Sequence, residues 1–284
     1  MTSRLGRAAT GAAFALVLAA AGAAPAAAAG DTRAASHDAP VTFAATVALS
    51  NCSGSVVRTP QSRPDDPALV LSNGHCIESG FPQAGEVIVD QPSTRTFTLL
   101  DEKAGDLGTL RADRISYATM TDTDVSLYRL TTSYRQIERQ YHVRPLLLDA
   151  RHPRKNTAIT VVSGYWKQQY RCAVDGFVNE VREYWWTWKD SVRYTPGCGT
   201  IGGTSGSPVI DDRTGRVVAV NNTHNEDGEQ CTLNNPCEVD RKGRVTVRPD
   251  ARYAQETYGI VPCVRHDGTL DLGRKKCTLP EPQA

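Results

Sequence analysis

The chain has 284 residues, 32 basic against 31 acidic side chains, a formal net charge of +1 and 40% hydrophobic residues. That is enough to bury one large core or two small ones. With neither sign dominant and both mixed along the chain, a partner chosen by bulk charge is excluded, nucleic acid among them, so function must be sought in particular residues.

The chain opens with Arg4 and Arg7, an apolar Ala-rich run over 8–24, then Pro25 and a small-residue end at Ala27, Ala28 and Ala29. A basic start, an apolar middle and a small-residue end make a secretory signal over 1–29. The apolar stretch is short for a membrane span, and no later segment is long and apolar enough for one. The expectation is a secreted, extracellular protein with no membrane association after cleavage. Residues 30–45 read as a polar, turn-rich leader or propeptide.

Short runs rich in Val, Thr and Leu follow at 41–49, 53–57, 69–71, 86–89, 96–99 and 125–130, separated by turn residues and joined by no sustained helical period. The same texture resumes after a loop near 151–156, with runs at 158–162, 169–174, 184–188, 209–210, 217–220 and 244–247. Two all-β units are expected, at 46–140 and 141–262. The aromatic group Tyr184, Trp185, Trp186 and Trp188 is read as core or rim and given no role. A helix is expected over 250–258, opening at Asp250 and stopping before Gly259. The remainder, 263–284, is too short for a core of its own and reads as a stapled tail.

Eight cysteines in an exported chain favour disulfides. Neighbourhood in sequence pairs Cys231 with Cys237 and Cys263 with Cys277, and leaves Cys52, Cys76, Cys172 and Cys198. No paired CxxC pattern suggests zinc, and neither a metal nor another cofactor is expected.

Three segments carry chemistry. Gly202-Gly203-Thr204-Ser205-Gly206-Ser207-Pro208 precedes an apolar strand. A serine hydroxyl needs a base to take its proton and donors to meet the oxyanion, and the glycines let the N–H groups of Gly203 and Ser205 point to one spot. In the second segment, a short apolar strand delivers His75, whose pKa range suits a general base. Its neighbour Cys76 points to the other face and reads as half of a bridge. In the third, Asp124 heads the alternation Val125, Ser126, Leu127, where a partly buried carboxylate could orient an imidazole; Asp122 is the alternative carrier.

These segments resemble the trypsin and chymotrypsin family, in particular its secreted bacterial branch that includes glutamyl endopeptidases. The family's Ala-Ala-His-Cys box stands here as Asn73-Gly74-His75-Cys76, its Asp-Ile-Ala-Leu box as Asp124-Val125-Ser126-Leu127, and its Gly-Asp-Ser-Gly-Gly-Pro box as Gly203-Thr204-Ser205-Gly206-Ser207-Pro208, in the family's order. The resemblance implies two six-stranded antiparallel β-barrels with the site in the cleft between them. It implies a Cys52–Cys76 bridge, leaving Cys172 with Cys198, and a secreted serine endopeptidase, acting on protein or peptide substrates as a monomer, with His75, Asp124 and Ser205 as its triad and Gly203 and Ser205 as its oxyanion hole.

The sequence departs from the family in two ways. Thr204 replaces the aspartate that pairs with a new N-terminus in the animal enzymes, so no such pairing is expected. A trypsin-like pocket needs a carboxylate six residues before Ser205, where Gly199 stands. Thr200 matches a glutamyl-endopeptidase threonine, but Asn221 replaces that group's glutamate-binding histidine, with His224 as a stand-in if the loop after it folds back. The expectation is an uncharged, small or medium P1 residue over Gly199, Thr200 and Asn221, with Arg and Lys poor. An α/β-hydrolase is disfavoured because its elbow needs glycine where Ser207 stands and its chain order is reversed. A silent pseudoprotease used as a binding protein is the remaining rival.

Overall fold

The computed structural model describes residues 40–283; the signal segment and most of the leader lie outside the described residues. The first half supplies β1 (Thr46–Ala48), β2 (Ser53–Arg58), β3 (Pro67–Ser72), β4 (Val87–Pro92), β5 (Thr96–Leu100), β6 (Asp106–Thr119) and β7 (Val125–Ser133). Six of these close into a ring in the order β1-β5-β6-β7-β3-β2, with β1 pairing back to β2 and β4 lying along β6 outside it. A helix, α1 (Tyr134–Tyr141), and a short strand, β8 (Leu146–Leu147), lead into the second half.

There β9 (Ala158–Ser163), β10 (Gln168–Glu183), β11 (Trp186–Tyr194), β12 (Pro208–Asp211), β13 (Arg216–His224), β14 (Cys237–Val239), β15 (Val245–Val247) and β16 (Arg252–Glu256) follow. Six close a second ring in the order β11-β16-β13-β12-β9-β10, and the β14–β15 hairpin extends from β10. Closing both sheets removes the open edges that invite association. The architecture is a chymotrypsin-like double barrel.

Strand periodicity feeds two cores at once. On β3, Ala68 and Val70 pack inside the first barrel with Phe97, Leu99 and Leu130, while Leu69 and Leu71 face Val125, Leu127, Val162, Ile210 and Val217 in a cluster shared by both barrels. The tail joins that shared cluster through Val264, Leu270 and Leu279, and it is held by hydrogen bonds from Ser116 Oγ to the Gly268 carbonyl (2.6 Å) and from the Tyr117 hydroxyl to the Pro280 carbonyl (3.0 Å). It is thus part of the packed body. Disulfides join Cys52 to Cys76, Cys172 to Cys198, Cys231 to Cys237 and Cys263 to Cys277. Among the described residues no helix is long and apolar enough to cross a membrane.

The helix expected over 250–258 is instead β16. Ala, Gln, Glu and Arg suit a helix, and Asp250 and Gly259 mimic its caps, but Ala254 pairs with both Val192 of β11 and Asn221 of β13. Ladders on two sides of a central strand outweigh a propensity of a few tenths of a kcal/mol per residue. The helix that does form, α1, opens at a reciprocal cap in which Ser133 Oγ accepts from the Gln136 N–H and Gln136 Oε1 accepts from the Ser133 N–H.

Candidate active site

His75 lies on a single 3-10 turn, Gly74–Cys76, directly after β3. That turn is fastened by the Cys52–Cys76 bridge and by Arg95, a buried side chain whose guanidinium donates to the Cys76 carbonyl, the Asn51 side chain and the Tyr128 hydroxyl. Asp124 stands just before β7 and is fully buried. Its Oδ2 lies 2.7 Å from His75 Nδ1, and its Oδ1 accepts from the His75 backbone N–H at 3.0 Å. Both carboxylate oxygens are thereby committed to one residue. Asp122 is used elsewhere, pairing with Lys189 Nζ at 2.8 Å.

Ser205 comes from the second barrel, on the loop entering β12. Gly206 after it has φ +78, and a β-carbon there would run into the Ser53 carbonyl and the Ser72 hydroxyl, so only glycine permits this approach. Asn73, buried next to the histidine turn, ties the three segments together. Its amide nitrogen donates to the Asp124 carbonyl (2.8 Å), its side-chain oxygen accepts from the Gly206 N–H (2.5 Å), and its carbonyl accepts from Ser126 Oγ (2.7 Å). Sequence reasoning gave Asn73 no role, although its place in the histidine box was the signal available.

His75 and Ser205 line one cleft, together with Thr200, Asn221 and His224. The Ser205 hydroxyl donates to the Asn222 carbonyl at 3.2 Å, and no hydrogen bond to His75 is present among the described residues. Catalytic hydrogen bonds in free enzymes are often loose and tighten when substrate binds. The backbone N–H groups of Gly203 and Ser205 have no protein acceptor among the described residues. Gly203 has φ +84 and abuts Tyr165 and Trp166, and Trp166 Nε1 donates to the Gly202 carbonyl at 2.7 Å. Across a trans peptide the C=O and the next N–H point in opposite directions. Holding the Gly202 oxygen against Trp166 therefore turns the Gly203 N–H the other way.

Asn221 lines the cleft with its amide already committed, accepting from the Tyr194 hydroxyl (3.1 Å) and donating to the carbonyl and hydroxyl of Thr204 (3.2 and 3.1 Å). Thr204 in turn donates to the Ile201 carbonyl, so internal hydrogen bonds hold the loop before Ser205. Gly199 is not in the lining; with φ +64 it turns toward Tyr170. The loop after His224 folds over the cleft and brings Leu233 and Asn234 into its wall. Trp186 and Trp188 are buried wall residues. Phe81 stands edge-on to His75 and to Trp186, with both ring centroids at 5.8 Å.

Glu183, at the end of β10, is a cleft residue for which the sequence carried no signal. It is 5% exposed and accepts from Thr223 Oγ1 (2.6 Å) and the Asn234 N–H (3.0 Å). Burial raises its pKa. For His75, burial favours the neutral ring, but the charge and hydrogen bond of Asp124, with the charge of Glu183, outweigh it and hold the pKa above the ordinary value. Burial is also the largest influence on His224, whose pKa is lowered.

Residues 52–220 match the family model described as a trypsin-like peptidase domain. Among solved structures, the active form of the Rv3671c protease of M. tuberculosis is 14% identical over 86% of this chain and 85% of its own, with a TM-score of 0.48. The MamO protease domain of Magnetospirillum magneticum is 11% identical over 79% and 97%, with a TM-score of 0.48. The Nocardiopsis protease NAPase is 14% identical over 77% and 93%, with a TM-score of 0.42. A comparison with curated proteins finds no match.

Proposed function

This chain belongs to the trypsin-like peptidase domain family and is a serine endopeptidase, and from that premise we propose that His75, Asp124 and Ser205 are its catalytic triad. The single observation that carries the reading is the 2.7 Å contact between His75 Nδ1 and a fully buried Asp124 on the wall of the cleft that also holds Ser205.

In the proposed mechanism Ser205 Oγ leaves the Asn222 carbonyl, attacks the scissile carbonyl carbon and passes its proton to His75 Nε2. Asp124 keeps the Nδ1 proton in place and stabilises the imidazolium. The N–H groups of Gly203 and Ser205 receive the oxyanion. His75 then gives its proton to the leaving amine, and water, deprotonated by His75, hydrolyses the acyl-enzyme. The paired cysteines fit secretion of the mature chain after loss of its signal.

Trp166 is a positioning residue in this scheme, because it orients the Gly203 donor. Trp166→Phe keeps an aromatic ring, though a smaller one, and removes the indole N–H. It is expected to lower kcat about tenfold with little change in KM, and to weaken a peptide boronate in parallel with kcat/KM, since removal of one oxyanion donor outright costs about 10²–10³. Unchanged boronate affinity would count against that role.

Glu183 adds negative charge near His75. Glu183→Gln should lower the His75 pKa and shift the acid limb of kcat/KM to lower pH, because less charge stabilises the imidazolium. A pH–rate profile that does not move refutes this coupling.

For specificity, the proposal is an uncharged P1 residue of small or medium size. An acidic side chain entering the cleft meets the carboxyl groups of Glu183 and Glu226 and an imidazole, His224, disfavoured as a cation. This argues against the glutamyl-endopeptidase branch. A basic P1 group finds no carboxylate at Gly199, and the cleft's own carboxyl groups are already engaged, Glu183 by Thr223 Oγ1 and the Asn234 N–H and Glu226 by His224. A peptide-library cleavage profile of the mature protein, run beside Ser205→Ala, tests both statements; dominance of Glu, or of Arg and Lys, at P1 overturns the corresponding one.

A further inference from the structure

Away from the cleft, three groups converge on the outside of the second barrel. His152 lies on the connector between β8 and β9, Asp190 on β11 and Glu256 at the end of β16. His152 Nε2 is 3.1 Å from Glu256 Oε1 and 3.4 Å from Asp190 Oδ2. The contact to Glu256 lacks hydrogen-bond geometry: neither carboxyl oxygen of Glu256 has a hydrogen-bond partner, although its side chain is 5% exposed. Among the described residues no Lys or Arg pairs with Glu256 or Asp190, and His152 alone approaches both. Asp190 receives only the Tyr258 hydroxyl, at 3.1 Å.

The ring orientation sharpens the problem. His152 Nδ1 is 2.7 Å from the Pro153 carbonyl. A carbonyl can only accept, so Nδ1 carries the proton, and a neutral ring then presents the Nε2 lone pair to two carboxyl groups. Two carboxyl groups and a ring-nitrogen lone pair thus face one point, into which only the Tyr258 hydroxyl donates among the described residues. A metal cation at that point takes all three groups as ligands. In a tetrahedral site with bonds of about 2.0–2.1 Å, neighbouring ligand atoms are about 3.3–3.4 Å apart, close to the 3.1 and 3.4 Å separations here. The Nδ1–H bond to a carbonyl is also the outer contact that usually orients a metal-bound imidazole, and the ring is steadied by Phe177 and Tyr258, with centroids at 4.3 and 5.3 Å.

We propose that His152 Nε2, Asp190 and Glu256 form a structural binding site for a divalent metal, of the zinc class rather than the calcium class because one ligand is an imidazole nitrogen. Water completes the coordination on the exposed side. The ion ties the connector between the barrels to two strands of the second one. This differs from the expectation of no metal, because ligands so far apart in sequence leave no spacing motif.

The test uses the mature Ser205→Ala protein, so that self-cleavage does not set the melting curve, stripped with EDTA and desalted. Calorimetric titration with Zn²⁺ is expected to give one site, and Zn²⁺ at about a hundredfold excess over its Kd should raise Tm by roughly 5–10 °C. Adding Glu256→Gln, which keeps the side-chain shape, or His152→Ala, on the connector, should each weaken Zn²⁺ at least tenfold and abolish most of the shift measured from that variant's own metal-free Tm. If Glu256→Gln fails to fold, His152→Ala decides alone. No Zn²⁺ binding in the parent at about 100 µM, parent-like affinity in both variants, or a Ca²⁺ response equal to that of Zn²⁺ and retained in His152→Ala overturns the site.

Discussion

Ser205→Ala is expected to fold normally and to lose kcat by about 10⁴-fold or more on a fluorogenic peptide. The substitution removes one oxygen whose hydrogen bond, to the Asn222 carbonyl at 3.2 Å, is worth about 1 kcal/mol, so Tm should move by no more than about 4 °C. Activity and stability are thereby separated. Any remaining turnover comes from the oxyanion donors and from binding. A Ser205→Ala protein that cleaves at near the parent rate removes Ser205 from the mechanism.

Asp124→Asn should cost nearly as much, about 10⁴ in kcat, with a second signature in the pH profile. Asp124 accepts two bonds, from the His75 ring and from the His75 backbone. An asparagine has one acceptor oxygen. Its NH₂ must face either the backbone N–H, where two donors collide, or the ring, where it favours the wrong tautomer. The negative charge that raises the His75 pKa is lost as well. The acid limb of the residual activity should therefore move to lower pH, and more than in Glu183→Gln, because both the charge and the hydrogen bond of Asp124 act more strongly on the ring than the charge of Glu183. A measured profile with its limb unmoved would show that Asp124 is not the charge His75 feels.

The catalytic candidates were legible because each lies in a short local pattern. His75 follows an apolar strand, Asp124 heads an alternation and Ser205 sits among glycines, and these arrangements are fixed by nearest neighbours in the chain. Trp166 and Glu183 were not legible, and Asn73 was marked only by its place in the histidine box. Asn73 acts by reaching Asp124 and Gly206, Trp166 by reaching Gly202, and Glu183 by meeting Thr223 and Asn234. Each joins strands distant in sequence, and a lone Asn, Trp or Glu carries no periodicity. The partners of the tail were hidden for the same reason: its spacing shows the stapled loop, whereas Leu71, Val125 and Ile210, against which it packs, belong to the barrels.

Local physics set most of the strand runs in both barrels, through their Val, Thr and Leu content and the turn residues between them, and set the nearest-neighbour loops within which Cys231–Cys237 and Cys263–Cys277 form. It could not decide 252–256. Those residues satisfy a helix by propensity, and they become a strand because β11 and β13 offer hydrogen-bond partners on both sides that exist only once the barrel closes. The convergence of His152, Asp190 and Glu256 was likewise decided by tertiary structure alone, since barrel closure brings β11, β16 and the connector together and buries the Glu256 carboxyl group, which no local sequence pattern records.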